Sequence, residues 1–118
     1  GYSNHYKKIG NRLGPFDLTF LENGAYSLDW KFVHQLPEEG VQAHIDLQRH
    51  ALGPVHWGMF DLSLHSWHDP IQRVTKESNK RGVKIIAPNL GQLVSETENY
   101  VQTDWWSPMI EKETSNSN

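Results

Sequence analysis

Val55-His56-Trp57-Gly58-Met59-Phe60 is the stretch around which this chain is organised. Apolar and β-branched residues followed by a glycine predict a short strand that runs into a loop, and loops at strand ends often carry binding and catalytic residues. Histidine is the commonest neutral metal ligand and titrates near neutral pH, so His56 is the first candidate for chemistry. A purely structural hydrogen bond is the alternative for this residue.

Composition restricts the chain to one domain and excludes several classes of protein. The 118 residues carry a net charge of −3 without a basic run, which argues against a nucleic-acid partner. No apolar stretch approaches the ~20 residues of a membrane span, so no transmembrane segment is expected. The chain has no cysteine, which excludes disulfides and cysteine-ligated metals. The composition is compatible with a location in the cytoplasm and with one at the periphery of a membrane.

Hydrophobic periodicity predicts an α/β fold with helices covering one face of a sheet. The predicted elements are strand 16–21, helix 37–52, strand 55–60, helix 70–81 and strand 83–88. Proline and two acidic residues begin the first of these helices, and Gly-Pro ends it. We expect residues 1–96 to form the domain and residues 97–118 to form a partly disordered tail.

Seven histidines are present, and no two of them show the i, i+4 spacing of a helical zinc motif. A metal site must therefore be gathered from distant segments. His44 lies on the apolar face of the predicted helix, where a core hydrogen bond is favoured over a metal or substrate role. His65 and His68 lie in a predicted solvated loop; a weak metal site formed by both with His56 is the alternative.

An aromatic loop over residues 25–35 carries Tyr26, Trp30 and His34. Loops of this kind often line a pocket. A loop held on the surface by its rings is an equally good interpretation.

Several segments together resemble one known family. They are Gly14-Pro15-Phe16-Asp17-Leu18, Gly24-Ala25-Tyr26, Trp30, Pro37-Glu38-Glu39, Val41-Gln42-Ala43-His44, and His56-Trp57-Gly58 with Phe60. In order and spacing they are similar to the C-terminal half of metallo-β-lactamase-fold hydrolases. The branch is the one that contains N-acyl-phosphatidylethanolamine-hydrolysing phospholipase D and its bacterial relatives.

The resemblance implies the C-terminal half of an αββα sandwich, with a mixed sheet, helices on one face and two zinc ions at the sheet edge. In that family the ligands are a His-x-His-x-Asp-His cluster, a further His, an Asp in a Gly-Asp-Ser/Thr-Gly turn, and the His of a His-Trp-Gly segment. Only the last matches a residue here, His56, and Gly1 resembles the final Gly of the turn. One histidine cannot hold a zinc ion alone. The missing N-terminal half is therefore the expected partner.

The function implied is that of a zinc-dependent hydrolase acting on phosphodiester or lactone and ester substrates through a metal-activated water, inactive as this fragment. His34 resembles a family histidine near the substrate, and Tyr26, Trp30 and Trp57 are expected to share the pocket wall. The alternative is a non-catalytic binding or assembly module, because half a sandwich leaves a sheet face that self-association would bury.

Overall fold

The computed structural model describes residues 1–117, which form a three-stranded sheet and four α-helices. In chain order the elements are α1 His5–Leu13, β1 Phe16–Glu22, α2 Pro37–Asp46, β2 Arg49–Val55, α3 Asp69–Arg81, β3 Lys84–Ile85 and α4 Ser107–Asn116. A short 3₁₀ turn, Leu28–Trp30, lies between β1 and α2. None of the helices within residues 1–117 has the length and apolar character needed to cross a membrane.

The sheet has the order β1-β2-β3, and both described pairings are parallel. Phe16 lies opposite Arg49 at one end of the first pairing, and Glu22 lies opposite Val55 at the other. Parallel neighbours need a crossover, and α2 and α3 supply one each. The predicted α/β class is confirmed. A mixed sheet was expected, whereas the described strands are all parallel.

The boundary between α2 and β2 differs from the prediction of a helix over 37–52 and a strand over 55–60. The helix ends early because Gln48 adopts a left-handed conformation with φ +55°, and the chain turns there into β2. Ala51 and Leu52 suit a helix face or a buried strand equally well, and parallel pairing with β1 decides between them. The predicted strand over 55–60 is therefore wrong beyond Val55, and His56 begins a loop.

The core lies between the sheet and two helices. Leu52 of β2 packs with Val41 of α2 and with Ile71 and Val74 of α3, all of them buried. The predicted packing of helices on one face is thus confirmed. On the other face the ring of Phe20 covers Gly53 and remains 66% exposed.

Tryptophans attach the C-terminal segment to this core. Trp106 is buried within the core cluster, and the ring of Trp105 stacks on Trp57 with centroids 5.7 Å apart. The Nε1 atom of Trp105 also donates a hydrogen bond to the Ala87 carbonyl at 2.9 Å. The predicted division between residues 1–96 and a partly disordered tail is not tested by this packing and stays a prediction.

Candidate functional site

The candidate site lies where the carboxyl ends of β1 and β2 meet. Glu22 is the last residue of β1 and lies opposite Val55, the last residue of β2. Glu22 and His56 therefore leave the sheet side by side. Open α/β sheets bind their ligands at this carboxyl edge.

The backbone at His56 is held in an unusual conformation. Its φ is +65°, in the left-handed region that few non-glycine residues occupy, and such conformations cluster at functional sites. Gly24 packs against it so closely that an added Cβ atom would lie 2.0 Å from the His56 carbonyl oxygen. The amide of Asn23 donates to the Val55 carbonyl at 2.8 Å, which extends the strand pairing to this point. The loop after β1 thus fixes where His56 emerges.

His34 and His56 come together at this edge although 22 positions separate them in the chain. Their rings stack with centroids 5.5 Å apart and an interplanar angle of 22°. The Nδ1 atom of His34 lies 3.0 Å from Oε2 of Glu22, and Oε1 of Glu22 accepts a hydrogen bond from the Gln35 amide at 3.1 Å. One carboxylate therefore holds the segment that carries His34.

Two clefts meet at His56, whose side chain is exposed at their shared rim. The first has a volume of about 260 Å³ and is bordered by Trp57, His65 and the apolar residues Ala25, Met59, Phe60, Leu62, Trp67 and Pro70. The second, of about 490 Å³, is wider and is bordered by Trp30, Val33 and His34. A ligand at this rim would meet imidazole nitrogens within a mostly apolar surface.

Of the predicted pocket-wall residues, Trp30 and Trp57 lie beside these clefts. Each indole nitrogen is engaged with nearby backbone: Trp30 donates to the Ala25 carbonyl at 2.7 Å, and Trp57 donates to the Pro54 carbonyl at 3.0 Å. These hydrogen bonds fix the orientation of both rings. Trp105 covers one face of Trp57, and the remaining surface of each ring borders a cleft.

Tyr26 takes a different position, buried behind the site. Its hydroxyl donates a hydrogen bond to Asp69, and the guanidinium of Arg73 lies 5.0 Å from its ring centroid. Burial, followed by the bond to Asp69, raises the pKa of Tyr26 well above its ordinary value. Tyr26 borders a neighbouring groove with His65, so its geometry is that of an anchor between the aromatic loop and α3.

The secondary histidines have separate surroundings. His44 is 1% exposed and its Nδ1 lies 2.9 Å from the Thr19 hydroxyl; burial, and then the charge of Arg49, lowers its pKa to about 3. His44 therefore makes the core hydrogen bond that was favoured for it. His65 stacks on Tyr26 at 4.2 Å, and Nδ1 of His68 lies 3.0 Å from the Gln72 amide oxygen.

Residues 1–117 supply only part of the ligand set that a zinc ion needs. Within them, no group of three or more histidine, aspartate or glutamate side chains is arranged to hold a metal ion, and this includes the set His56, His65 and His68. Structural zinc takes four protein ligands and catalytic zinc takes three. His56 supplies an exposed imidazole suited to one coordination position, so a full ligand set would need groups from outside this chain.

Glu22 and Gln35 are site residues that the sequence analysis did not identify. Glu22 follows the apolar run of β1 directly, and an acid at the carboxyl end of a predicted parallel strand is a usable signal. Gln35 is fully buried and its side-chain amide donates to the Glu22 carbonyl at 3.4 Å. Nothing in the local pattern distinguishes Gln35 from an exposed residue before a helix.

Comparison with known proteins places these observations in a family. Residues 1–57 match a family model described as a beta-lactamase superfamily domain. An uncharacterized protein of Mycobacterium tuberculosis is 39% identical over 90% of this chain, which spans 29% of that relative's length. Outer membrane protein RomA of Klebsiella pneumoniae is 48% identical over 49% of the chain and 44% of its own length.

A further relative has a descriptive name. The N-acyl-phosphatidylethanolamine-hydrolyzing phospholipase D 1 of Caenorhabditis elegans is 38% identical over 53% of this chain and 18% of its own length. The family model covers these segments as far as Trp57, and the parallel α/β architecture agrees with it. These findings identify this chain as a metallo-β-lactamase-fold protein.

Proposed function

We propose that this chain is the C-terminal part of a zinc-dependent hydrolase that acts on phosphodiester or lactone and ester substrates through a metal-activated water. The stacked pair of His34 and His56 at the carboxyl edge of the sheet is the observation that supports this proposal best. The name of the nematode relative supports the phosphodiester class. The chain by itself is proposed to be inactive.

In this proposal His56 is a ligand to one of two zinc ions. Zinc supplies Lewis acidity and lowers the pKa of a bound water towards ~7. His56 needs only to present a neutral ring nitrogen at a fixed place, and the contact between Gly24 and its carbonyl oxygen holds its backbone there. Trp30, His34 and Trp57 border the clefts on either side and would contact the substrate.

The remaining zinc ligands are proposed to come from an N-terminal half of the same domain. The amino group of Gly1 donates to the Val33 carbonyl at 2.8 Å and lies 3.8 Å from Oε1 of Glu22. A residue joined to Gly1 would therefore enter the site beside His34. The 29% coverage of the mycobacterial relative is compatible with such a half, since that relative has ample length for it.

Metal analysis tests this proposal directly. Zinc stoichiometry and hydrolysis of a chromogenic phosphodiester are measured on the 118-residue chain and on the same chain joined to its upstream coding segment. We expect zinc and activity only in the longer protein, and loss of activity and of one of the two zinc ions in its His56→Ala variant. His50→Ala, at an exposed position of β2, is the matched control. Stoichiometric tight zinc in the 118-residue chain would contradict the proposal.

The open face of the sheet is the surface that the N-terminal half is proposed to cover. Phe20 of β1 and Val55 of β2 are exposed there, and β1 is an edge strand of the described sheet. Edge strands and apolar faces favour association because they leave hydrogen-bonding groups and apolar area uncovered.

The same face favours a second candidate function, a self-associating module without catalysis. Sedimentation velocity at several concentrations separates the two candidates. The module predicts a dimer that Phe20→Ser dissociates, with Leu90→Ser, at an exposed position away from the strands, as the control. A strictly monomeric chain would remove this candidate.

A further inference from the structure

We infer that Glu22 is a positioning residue for His34: its carboxylate holds the imidazole in the tautomer that carries hydrogen on Nδ1, which leaves Nε2 unprotonated and directed at the site beside His56. The significance of that site for hydrolysis rests on the proposed function. The tautomer itself follows from geometry within this chain.

The carboxylate of Glu22 bridges two consecutive residues. Its Oε2 atom lies 3.0 Å from Nδ1 of His34, and its Oε1 atom accepts the backbone N–H of Gln35 at 3.1 Å. An ionised carboxylate has acceptors only, so the hydrogen in the contact with the imidazole belongs to the ring. A neutral imidazole that donates through Nδ1 carries its lone pair on Nε2.

The direction of the ring follows from the same contact. Nδ1 and Nε2 lie on either side of Cε1, so a ring that turns Nδ1 towards Glu22 turns Nε2 away from it. The ring of His34 stacks on that of His56 and borders the same cleft. The unprotonated nitrogen is therefore available to a metal ion or to a substrate proton. A free histidine side chain favours the opposite tautomer, with hydrogen on Nε2.

The sheet and a buried side chain support this arrangement. Glu22 is paired with Val55 in the sheet, so the carboxylate is carried by the end of a strand. The buried side chain of Gln35 donates to the Glu22 carbonyl, which ties the segment before α2 to the same residue. Orienting partners of this kind determine which nitrogen of a functional histidine is free.

A purely structural role for Glu22 is the competing explanation. The carboxylate would then serve only to satisfy the amide of Gln35 and to place the segment ahead of α2. That role makes no demand on the tautomer of His34, which separates the two explanations.

Nitrogen-15 chemical shifts of histidine rings report the tautomer directly. The 118-residue chain is labelled on its histidines and studied by long-range proton–nitrogen correlation at pH 8, with His34 assigned from a His34→Gln variant. In the wild-type chain we expect the Nδ1–H form of His34 to predominate. Glu22→Ala should shift the population towards Nε2–H, whereas Glu22→Gln should shift it less, because its amide keeps one acceptor oxygen for the two donors of His34 and Gln35. Asp17→Ala, at an exposed acid on the same strand, should change nothing.

Two results would overturn the inference. One is an Nε2–H form of His34 in the wild-type chain, a result that does not depend on any variant folding. The other is an unchanged Nδ1–H form in a folded Glu22→Ala protein, which would assign Glu22 the structural role alone. Neither measurement uses zinc or substrate, so failure of the hydrolase proposal leaves this test intact. A negative tautomer result likewise leaves His56 available as a metal ligand.

Discussion

The carbonyl oxygen of His56 lies directly against Gly24, and a Cβ atom at that glycine would be 2.0 Å from the oxygen. Both partners are backbone, so no flexible side chain can move aside to make room. The first residues after β1 thereby determine the path of the loop that carries His56.

Gly24→Ala should therefore destabilise the protein and displace His56. Overpacking of this kind costs ~1–3 kcal/mol in free energy of unfolding, measured by urea denaturation. Gly40→Ala is the matched control: an added Cβ atom there has its nearest neighbours at 3.6 and 3.7 Å, and alanine favours the helix. A Gly24→Ala protein as stable as the wild type would show that the loop adapts.

Trp105→Ala should weaken the support of the loop after β2. The mutation removes the stacking of Trp105 on Trp57 and the hydrogen bond to Ala87, and an aromatic pair contributes ~0.5–1.5 kcal/mol beyond its burial. We expect a lower free energy of unfolding and a changed near-ultraviolet circular dichroism spectrum. Met109→Ala, at an exposed position of α4, should leave both unchanged.

The ion pair of Arg73 with Glu38 should couple α3 to α2. Two hydrogen bonds of 2.9 and 2.7 Å join the guanidinium to the carboxylate. The side chain of Arg73 is 34% exposed and that of Glu38 is 41% exposed. Solvent screening at that exposure limits the expected coupling to ~0.5–1 kcal/mol in a double-mutant cycle. The pair of Lys80 with Glu77, at 3.8 Å and with the lysine 76% exposed, should show less coupling. Equal coupling in the two cycles would contradict this prediction.

Acid should destabilise the fold through His44. Burial, and then the charge of Arg49, lowers the pKa of His44 from its ordinary value of 6.5 to about 3. Between these pH values the unfolded chain binds a proton at His44 that the folded chain does not. The contribution of His44 to the free energy of unfolding is therefore complete above pH 6.5 and is lost as the pH falls towards 3. The expected loss between pH 7 and pH 5 is ~2 kcal/mol.

Chemical denaturation at several pH values between 5 and 7 measures this dependence. His44→Asn, which retains a polar group near the Thr19 hydroxyl, should flatten the slope even if it lowers stability at pH 7. His50→Gln, at an exposed position, should retain the wild-type slope. An unchanged slope in His44→Asn would assign the acid sensitivity to other groups.

Local pattern was sufficient for the elements whose residues interact mainly with their chain neighbours. The proline and acidic start of α2, the amphipathic α3 ended by Gly82 and the alternating strand β1 all follow from spacing and end signals. The end of α2 did not follow, because Ala51 and Leu52 fit a helix face and a buried strand equally well. Pairing with β1 made the choice, through the left-handed turn at Gln48.

For the site, the sequence by itself determined that His56 follows an apolar run and that an aromatic loop with His34 precedes α2. Only the tertiary structure decided which of the seven histidines meet. The parallel register that sets Glu22 opposite Val55 brings His34 to His56, whereas His44 is turned into the core and His65 onto Tyr26. The physical reason is that this register is selected by burial of Leu52 between the sheet and its helices, a contact between residues distant in the chain.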